Sequence, residues 1–252
     1  MDLMSPLGLG VLALAAIAAG IINTVVGSGT LITFPALLAL GVPPVTANMT
    51  NTVGLAIGNI GGVIGYRREL RGLFAAIVPL AVLTAIGALI GALALLVLPA
   101  DVFRIVAPVL VIVGCVLVGI QPLLRRRATR TPGRTSAPAW LRFPLTAATG
   151  VYGGYFGAAQ GVLIVGVLEM TMTQDIQRIN AIKNVLQTLA GGVATVVFVF
   201  AASLPWVAIA TLALGSLAGA VIGAAIGRRL PAWLLRTLII VIGVVAVYFL
   251  VI

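Results

Sequence analysis

An all-α polytopic membrane protein built from two related halves is the fold this sequence predicts, and three observations predict it. The 252-residue chain is 62% hydrophobic and only 8% charged, with a mean hydropathy of +1.25; a soluble domain carries about 25% charged residues. Several uncharged runs reach the roughly 20 residues needed to cross a bilayer. Two apolar segments in matching places each carry a single polar stripe, and each follows a segment interrupted by glycines. The expected architecture is two inverted repeats, each a broken or re-entrant helix hairpin followed by three full spans, about eight helices counted conventionally. Residues 1–123 form the first repeat, 124–141 a basic linker and 142–252 the second repeat.

In chain order, residues 5–40 are too long for one simple span and break at Gly27-Ser28-Gly29-Thr30. A helix, a glycine-rich break and a short second helix from near Thr30 to about Gly41 are expected, with Pro35 bending the second piece. Val42-Pro43-Pro44 stops that helix, and Thr46 is the expected N-cap of the next, 46–66. Spans over 73–98 and 102–123 follow, with Pro79 and Pro108 expected to kink them. Residues 124–141, LRRRATRTPGRTSAPAWL, read as a flexible linker. Residues 143–171 break at Gly153-Gly154 and Gly157–Gly161. A striped helix at 178–202 and spans at 206–227 and 233–252 complete the chain.

The second stripe is Asn180, Lys183, Asn184 and Gln187, spaced i, i+3, i+4, i+7 on one helical face and continued by Gly191. The first is Asn48, Asn51, Thr52 and Asn59. A shift of 132 residues carries Asn48 onto Asn180, Asn51 onto Lys183 and Thr52 onto Asn184, whereas Gly20 and Gly27 meet Gly150 and Gly157 at a shift of 130. The difference fits a small indel in the connecting turn, and the repeat is one of layout rather than identity. The two striped helices are read as facing walls of a polar site.

Charge excludes several classes. The formal charge of +10 is carried by short arginine clusters between apolar runs, the pattern of cytoplasmic loops; no basic surface domain remains to bind nucleic acid. Histidine is absent and Cys115 is alone, so HExxH metal sites, Ser-His triads and CxxC redox pairs are ruled out. No enzyme, cofactor or metal is expected. The opening MDLMSPLG lacks the basic region of a cleaved signal peptide, so the first apolar run is expected to persist in the mature protein. Placing loops 67–71, 124–142 and 228–236 in the cytoplasm requires an even number of crossings between 142 and 175. That segment must then return to its own side, and an odd number of spans per half inverts one half relative to the other.

The stretch GIINTVVGSGTLITFPALLALGVPPVTANMTNTVGLAIGNIGGVIGYRREL, together with GVYGGYFGAAQGVLIVGVLEM and INAIKN, resembles the sulfite exporter TauE/SafE family, also called toluene sulfonate uptake permeases. The resemblance covers nearly the whole chain. It implies a small transporter of the bacterial inner membrane for sulfur-containing anions of the sulfite, sulfonate or sulfoacetate type, with lipid as its other partner and room for a homo-oligomer. Gly27-Ser28-Gly29 departs from the longer glycine run common in that family, so a tighter break is expected.

Each candidate residue has a functional reading and a plainer one. Lys183 is an anion-binding charge with Asn180, Asn184 and either Asn48 or Asn51 as neutral donors around it, or it snorkels to headgroups. Gln187 is read as lining the site; the stripe residues Asn48, Asn51, Thr52 and Asn59 line it too, or they are interhelical hydrogen-bond glue. Ser28, Gly29 and Thr30 present backbone N–H groups at a half-helix N-terminus suited to an oxyanion, as Gln160 does from the other side, or these small residues only pack helices closely. Glu169 is the coupling candidate; Asp175 reads more simply as an N-cap. The ladder Gly215, Gly219, Gly223 and Gly227 is read as packing. A site between helices 46–66 and 178–202 with alternating access is expected. Export is favoured because a negative-inside potential drives an anion outward by about 2.3 kcal/mol per charge per 100 mV. A permease for another small anion or metabolite, and a non-transporting structural membrane subunit, are the alternatives.

Overall fold

The computed structural model describes residues 3–129, 137–226, 237, 239–242 and 244. Among these, the regular structure is helical: α1 (Pro6–Val25), α2 (Thr30–Ala39), α3 (Pro44–Gly65), α4 (Phe74–Val97), α5 (Ala100–Thr129), a 3-10 turn (Ala139–Leu141), α6 (Arg142–Tyr155), α7 (Gln160–Thr171), α8 (Ile176–Ala201) and α9 (Trp206–Ile226). Helices α1, α4, α5, α8 and α9 contain five stretches long and apolar enough to span a membrane; α2 and α7 are short apolar helices. At about 1.5 Å per residue, α1 is about 30 Å long and α2 only about 15 Å.

Local chemistry sets most boundaries. Ser5 caps α1 by accepting from the Gly8 N–H at 3.0 Å, and Asp175 caps α8 by accepting from Gln177 and Arg178 N–H groups at 2.9 and 3.2 Å. Thr46 is not a cap: Pro43 occupies that position and Pro44 the first helical one, where a missing N–H and a fixed φ suit a helix start. The helix α5 overruns its expected end at 123 to Thr129, because Leu124 to Ala128 are helix formers with no breaker before Pro132. The linker expected over 124–141 therefore begins as helix; residues 130–136 lie outside the described ones, as do the loop 228–236 and most of the span expected over 233–252. α4 and α5 run as helix through Pro79 and Pro108.

The bundle is inside-out relative to a soluble protein. On α4, Val78, Val82, Ile86, Ile90 and Val97 are exposed, whereas Leu80, Thr84, Gly87, Ala88, Gly91 and Ala92 face inward. Lipid tails are as apolar as these outer side chains, so close approach of backbones, rather than hydrophobic burial, holds such helices together. Two long interfaces do this with small residues. A methyl added to Gly219 would fall 2.1 Å from the Ile17 carbonyl oxygen, and one on Gly223 2.9 Å from Ile21 Cα; one on Gly87 would fall 2.4 Å from the Ala147 oxygen, and one on Gly91 2.0 Å from the Val151 oxygen. These pairs correspond one to one, with the α9 and α4 members 132 apart and the α1 and α6 members 130 apart. Gly215 also packs against α1, in keeping with the packing role of the ladder; Gly227 lies outside the described residues.

The registers fix relative directions. Along α3 and α9, Gly54 meets Leu212, Gly58 Ser216, Gly61 Ala220 and Gly65 Ala224, so these helices run parallel. α1 runs parallel to α9, and α6 to α4, by the contacts above. α3 and α8 cross in the opposite sense, with Gly62 against Asn184 and Gly191 against Asn59.

Candidate substrate-binding cavity

Each glycine break is a sharp turn at one positive-φ glycine: Gly27 at +85° and Gly157 at +74°, values at which a Cβ is disfavoured. The two turns repeat one hydrogen-bond pattern. Gly27 N–H donates to the Ile22 oxygen at 3.1 Å, and Gly157 N–H to the Tyr152 oxygen at 3.0 Å. Ala159, at φ +56°, holds the left-handed region without being glycine. The breaks touch: Gly161 N–H donates to the Gly27 oxygen at 3.1 Å, and a methyl on Gly27 would lie 2.6 Å from Gly161 Cα.

Beside this contact lies a cavity of about 30 Å³, lined by Asn23, Thr30, Thr52, Leu55, Asn59, Gly153, Phe156, Gly157, Gln160, Gln187 and Gly191. Thr30 and Gln160 are the first residues of α2 and α7, so the positive ends of two half-helices face one space. A water needs about 10–15 Å³ of such volume; the space holds one or two waters and is too small for an oxyanion of four heavy atoms.

Asn23 joins the walls. Its Nδ2 donates to Asn59 Oδ1 on α3. Its Oδ1 accepts from Gly29 N–H at 3.1 Å and from Gln187 Nε2 at 2.8 Å. Sequence reasoning missed it, although a lone asparagine in the apolar run IINTVV is the signal that rule of thumb flags inside a membrane. Its counterpart 130 residues on is Gly153, and the space a side chain would take there is filled by Gln160, whose Nε2 lies 2.1 Å from a hypothetical Cβ and donates to the Thr149 oxygen at 3.1 Å.

Lys183 is fully buried, which overturns the snorkelling reading. Its Nζ donates to the Asn23 and Thr24 carbonyl oxygens at 3.2 Å each, at the end of α1, where an ammonium offsets the negative end of the helix dipole. The equivalent end of α6 is held by a neutral group: Asn48 Nδ2 donates to the Tyr155 oxygen at 2.8 Å. Asn51 anchors α2, donating to Thr30 Oγ1 at 3.2 Å and accepting from Thr33. Thr52 lines the cavity while donating to the Asn48 oxygen at 2.9 Å.

Of the expected site residues, Thr30, Thr52, Gln160 and Gln187 line the cavity, and Gly29 supplies a donor to its wall. Lys183, Asn48 and Asn51 grip the helix ends around it. Asn180 Oδ1, Asn184 Nδ2 and Ser28 Oγ are buried without a hydrogen-bond partner among the described residues. Glu169 sits nine residues along α7 from Gln160, about 13 Å away, and is not part of the lining. A second, larger cleft of about 430 Å³ opens between the ends of α3 and α9, lined by Gly61, Ile64, Gly65, Arg67, Arg68, Glu69, Val221, Ala224 and Ala225. Asn59 lies on α3 only about 3 Å of rise from its first lining residue. No group of acidic, cysteine or histidine residues that could hold a metal occurs among the described residues.

Among the described residues, five helices long and apolar enough to cross a membrane, with a polar cavity where two broken segments meet, make this a multi-pass membrane protein with the layout expected of a transporter. Comparison with known proteins agrees. The family described as Sulfite exporter TauE/SafE matches residues 12–250. The probable membrane transporter protein YfcA of Escherichia coli (strain K12) is 30% identical over 253 residues, covering 96% of this chain and 89% of that protein. The probable membrane transporter protein ORF9 of Sinorhizobium sp is 27% identical over 242 residues, covering 91% and 87%. No solved structure matches the chain. The chain belongs to the sulfite exporter TauE/SafE family.

Proposed function

We propose that this transporter exports a small sulfur-containing anion of the sulfite, sulfonate or sulfoacetate type. One observation carries the reading: the cavity between α3 and α8 is faced by the N-termini of both half-helices, Thr30 of α2 and Gln160 of α7. Amide and hydroxyl groups of Asn23, Thr52, Asn59 and Gln187 join them beside Leu55 and Phe156, and no charged side chain is among the described lining residues. The positive dipole ends of α2 and α7 suit an anion without a permanent counter-charge, while the first N–H groups of α7 already donate to the Gly157, Gly27 and Ala159 oxygens. The family supports the sulfur class of substrate.

The mechanism proposed is alternating access between two inverted repeats, residues 1–123 and 142–252. The opposite crossing of α3 and α8, helices that correspond in sequence, supports inversion. So does the exchange of partners, α9 of one half on α1 of the other and α4 on α6. The cleft beside Arg67 and Arg68 is the mouth on the cytoplasmic side of the inner membrane, where arginines raise the local anion concentration. An outward-driving potential then favours export without a coupling ion.

The test is thermal stability of detergent-purified protein against sulfite, sulfate, thiosulfate, sulfoacetate, taurine and carboxylate analogues, followed by efflux from proteoliposomes under an imposed potential. A shift confined to sulfur oxyanions, with efflux accelerated by a negative interior, is expected. A shift with carboxylates alone would move the assignment to a permease for another anion, and a flat response in both assays would sink transport of these anions.

A further inference from the structure

We infer that the side-chain oxygen of Asn23 occupies the position of a substrate oxygen, and that substrate binds by displacing it from the Gly29 N–H and the Gln187 amide. The inference rests on the anion-transport reading above and assigns the recognition subsite within it. Asn23 Oδ1 receives a backbone N–H from the capping residue of α2 and a side-chain N–H from α8, at 3.1 and 2.8 Å. Two converging N–H groups, one at a helix N-terminus, are what an oxyanion oxygen seeks.

The cavity beside them is too small for the anion, so binding must move a wall. Asn23 is the wall that can move without stranding the donors, because the incoming oxygen takes over both of its bonds. Gln160 and Asn51 cannot be exchanged in this way, since each donates to a protein oxygen that an anion could not satisfy. The Ser28 hydroxyl, at the same end of α2 though outside the cavity lining, is buried and without a partner among the described residues. Displacement also breaks the contact from Asn23 Nδ2 to Asn59 on α3. Filling the subsite therefore loosens α3 from α1 on the side where the larger cleft opens. The second half has no such side chain, because Gly153 stands where Asn23 does, so the device belongs to one repeat alone.

Three proteins test this with sulfite as the probe and sodium chloride as the ionic-strength control, by calorimetry and thermal unfolding of the full chain in detergent. Asn23→Ala removes the competing oxygen, and sulfite is expected to bind roughly five- to tenfold tighter, about one net hydrogen bond. Asn23→Asp places a fixed anion on the donors; sulfite binding is expected to vanish while the melting temperature stays at or above that of Asn23→Ala. Weaker binding in Asn23→Ala would make Asn23 an ordinary ligand and overturn the inference. So would an Asn23→Asp protein that still binds sulfite, or one that melts below Asn23→Ala. If neither wild type nor Asn23→Ala responds to sulfite but Asn23→Asp is stabilised, the anion-receiving subsite stands and the sulfur-anion assignment falls.

Discussion

Lys183 is where a single residue separates holding the fold from touching the substrate. Its ammonium is buried and bonded to two carbonyl oxygens at the end of α1, so Lys183→Met leaves those acceptors without their charge-assisted donor. A loss on the order of 2–3 kcal/mol is expected, read as a lower midpoint in thermal unfolding. Asn184→Ala is the useful contrast. Its Nδ2 has no partner among the described residues, so truncation is expected to cost less than about 1 kcal/mol, and a lost sulfite response in that variant would report on the site rather than on folding. The stripe at 180–187 was legible because four polar residues share one helical face in an apolar chain. Which of them would reach the cavity was not legible. Helical periodicity gives a face but no depth, and only Gln187 of the four lines the space. Asn23 escaped notice for the complementary reason: with only Thr24 beside it in an otherwise apolar helix, it forms no stripe.

At the scale of elements, the glycines fall into two physical classes that the sequence does not distinguish. Gly27 pairs a positive φ with a neighbouring backbone 2.6 Å from any added methyl, and Gly161 meets Gly27 from the other side. Either changed to Ala is expected to separate the two breaks, abolishing transport and lowering the unfolding midpoint. Gly10 and Gly166 lie within α1 and α7 with nothing inside 4 Å of an added methyl. Gly10→Ala and Gly166→Ala should therefore stabilise by about 0.5–1 kcal/mol through helix propensity. Melting curves of the four variants decide this; a destabilised Gly10→Ala would mean that α1 packs differently from the structure. The breaks themselves were readable, because GSGT and GAAQG interrupt apolar runs too long for a single helix. The helix ends were read less well. A proline in first position displaced Thr46 as the cap of α3, and the helix-forming arginine run drew α5 out to Thr129.

For the whole molecule, the directions of the helices make one arrangement of sides testable. α3 and α9 run parallel, and their ends meet in the cleft beside Arg67 and Arg68. The loop after α8 precedes α9 and so lies at the opposite face from the residues after α3. Its Ser203 is exposed, as is Arg68. The internal repeat was legible in sequence only as two offsets, 130 and 132; the paired glycine contacts of α9 with α1 and of α4 with α6 give those offsets a physical meaning. Under the proposed division into two repeats, each half lends its second full span to the broken segment of the other. In a Cys115→Ser background, Arg68→Cys is expected to react with a membrane-impermeant thiol reagent in inside-out vesicles only, and Ser203→Cys in right-side-out vesicles only. Arg68→Cys reacting from outside would reverse the orientation and, with it, the case for potential-driven export. Labelling of both positions from one side would break the parallel pairing of α3 with α9, and the inverted arrangement would go with it. Added sulfite should change the reactivity of Ala224→Cys, inside the cleft, without changing which side reaches it, because rocking of one half against the other opens and closes a mouth but carries no loop across the bilayer.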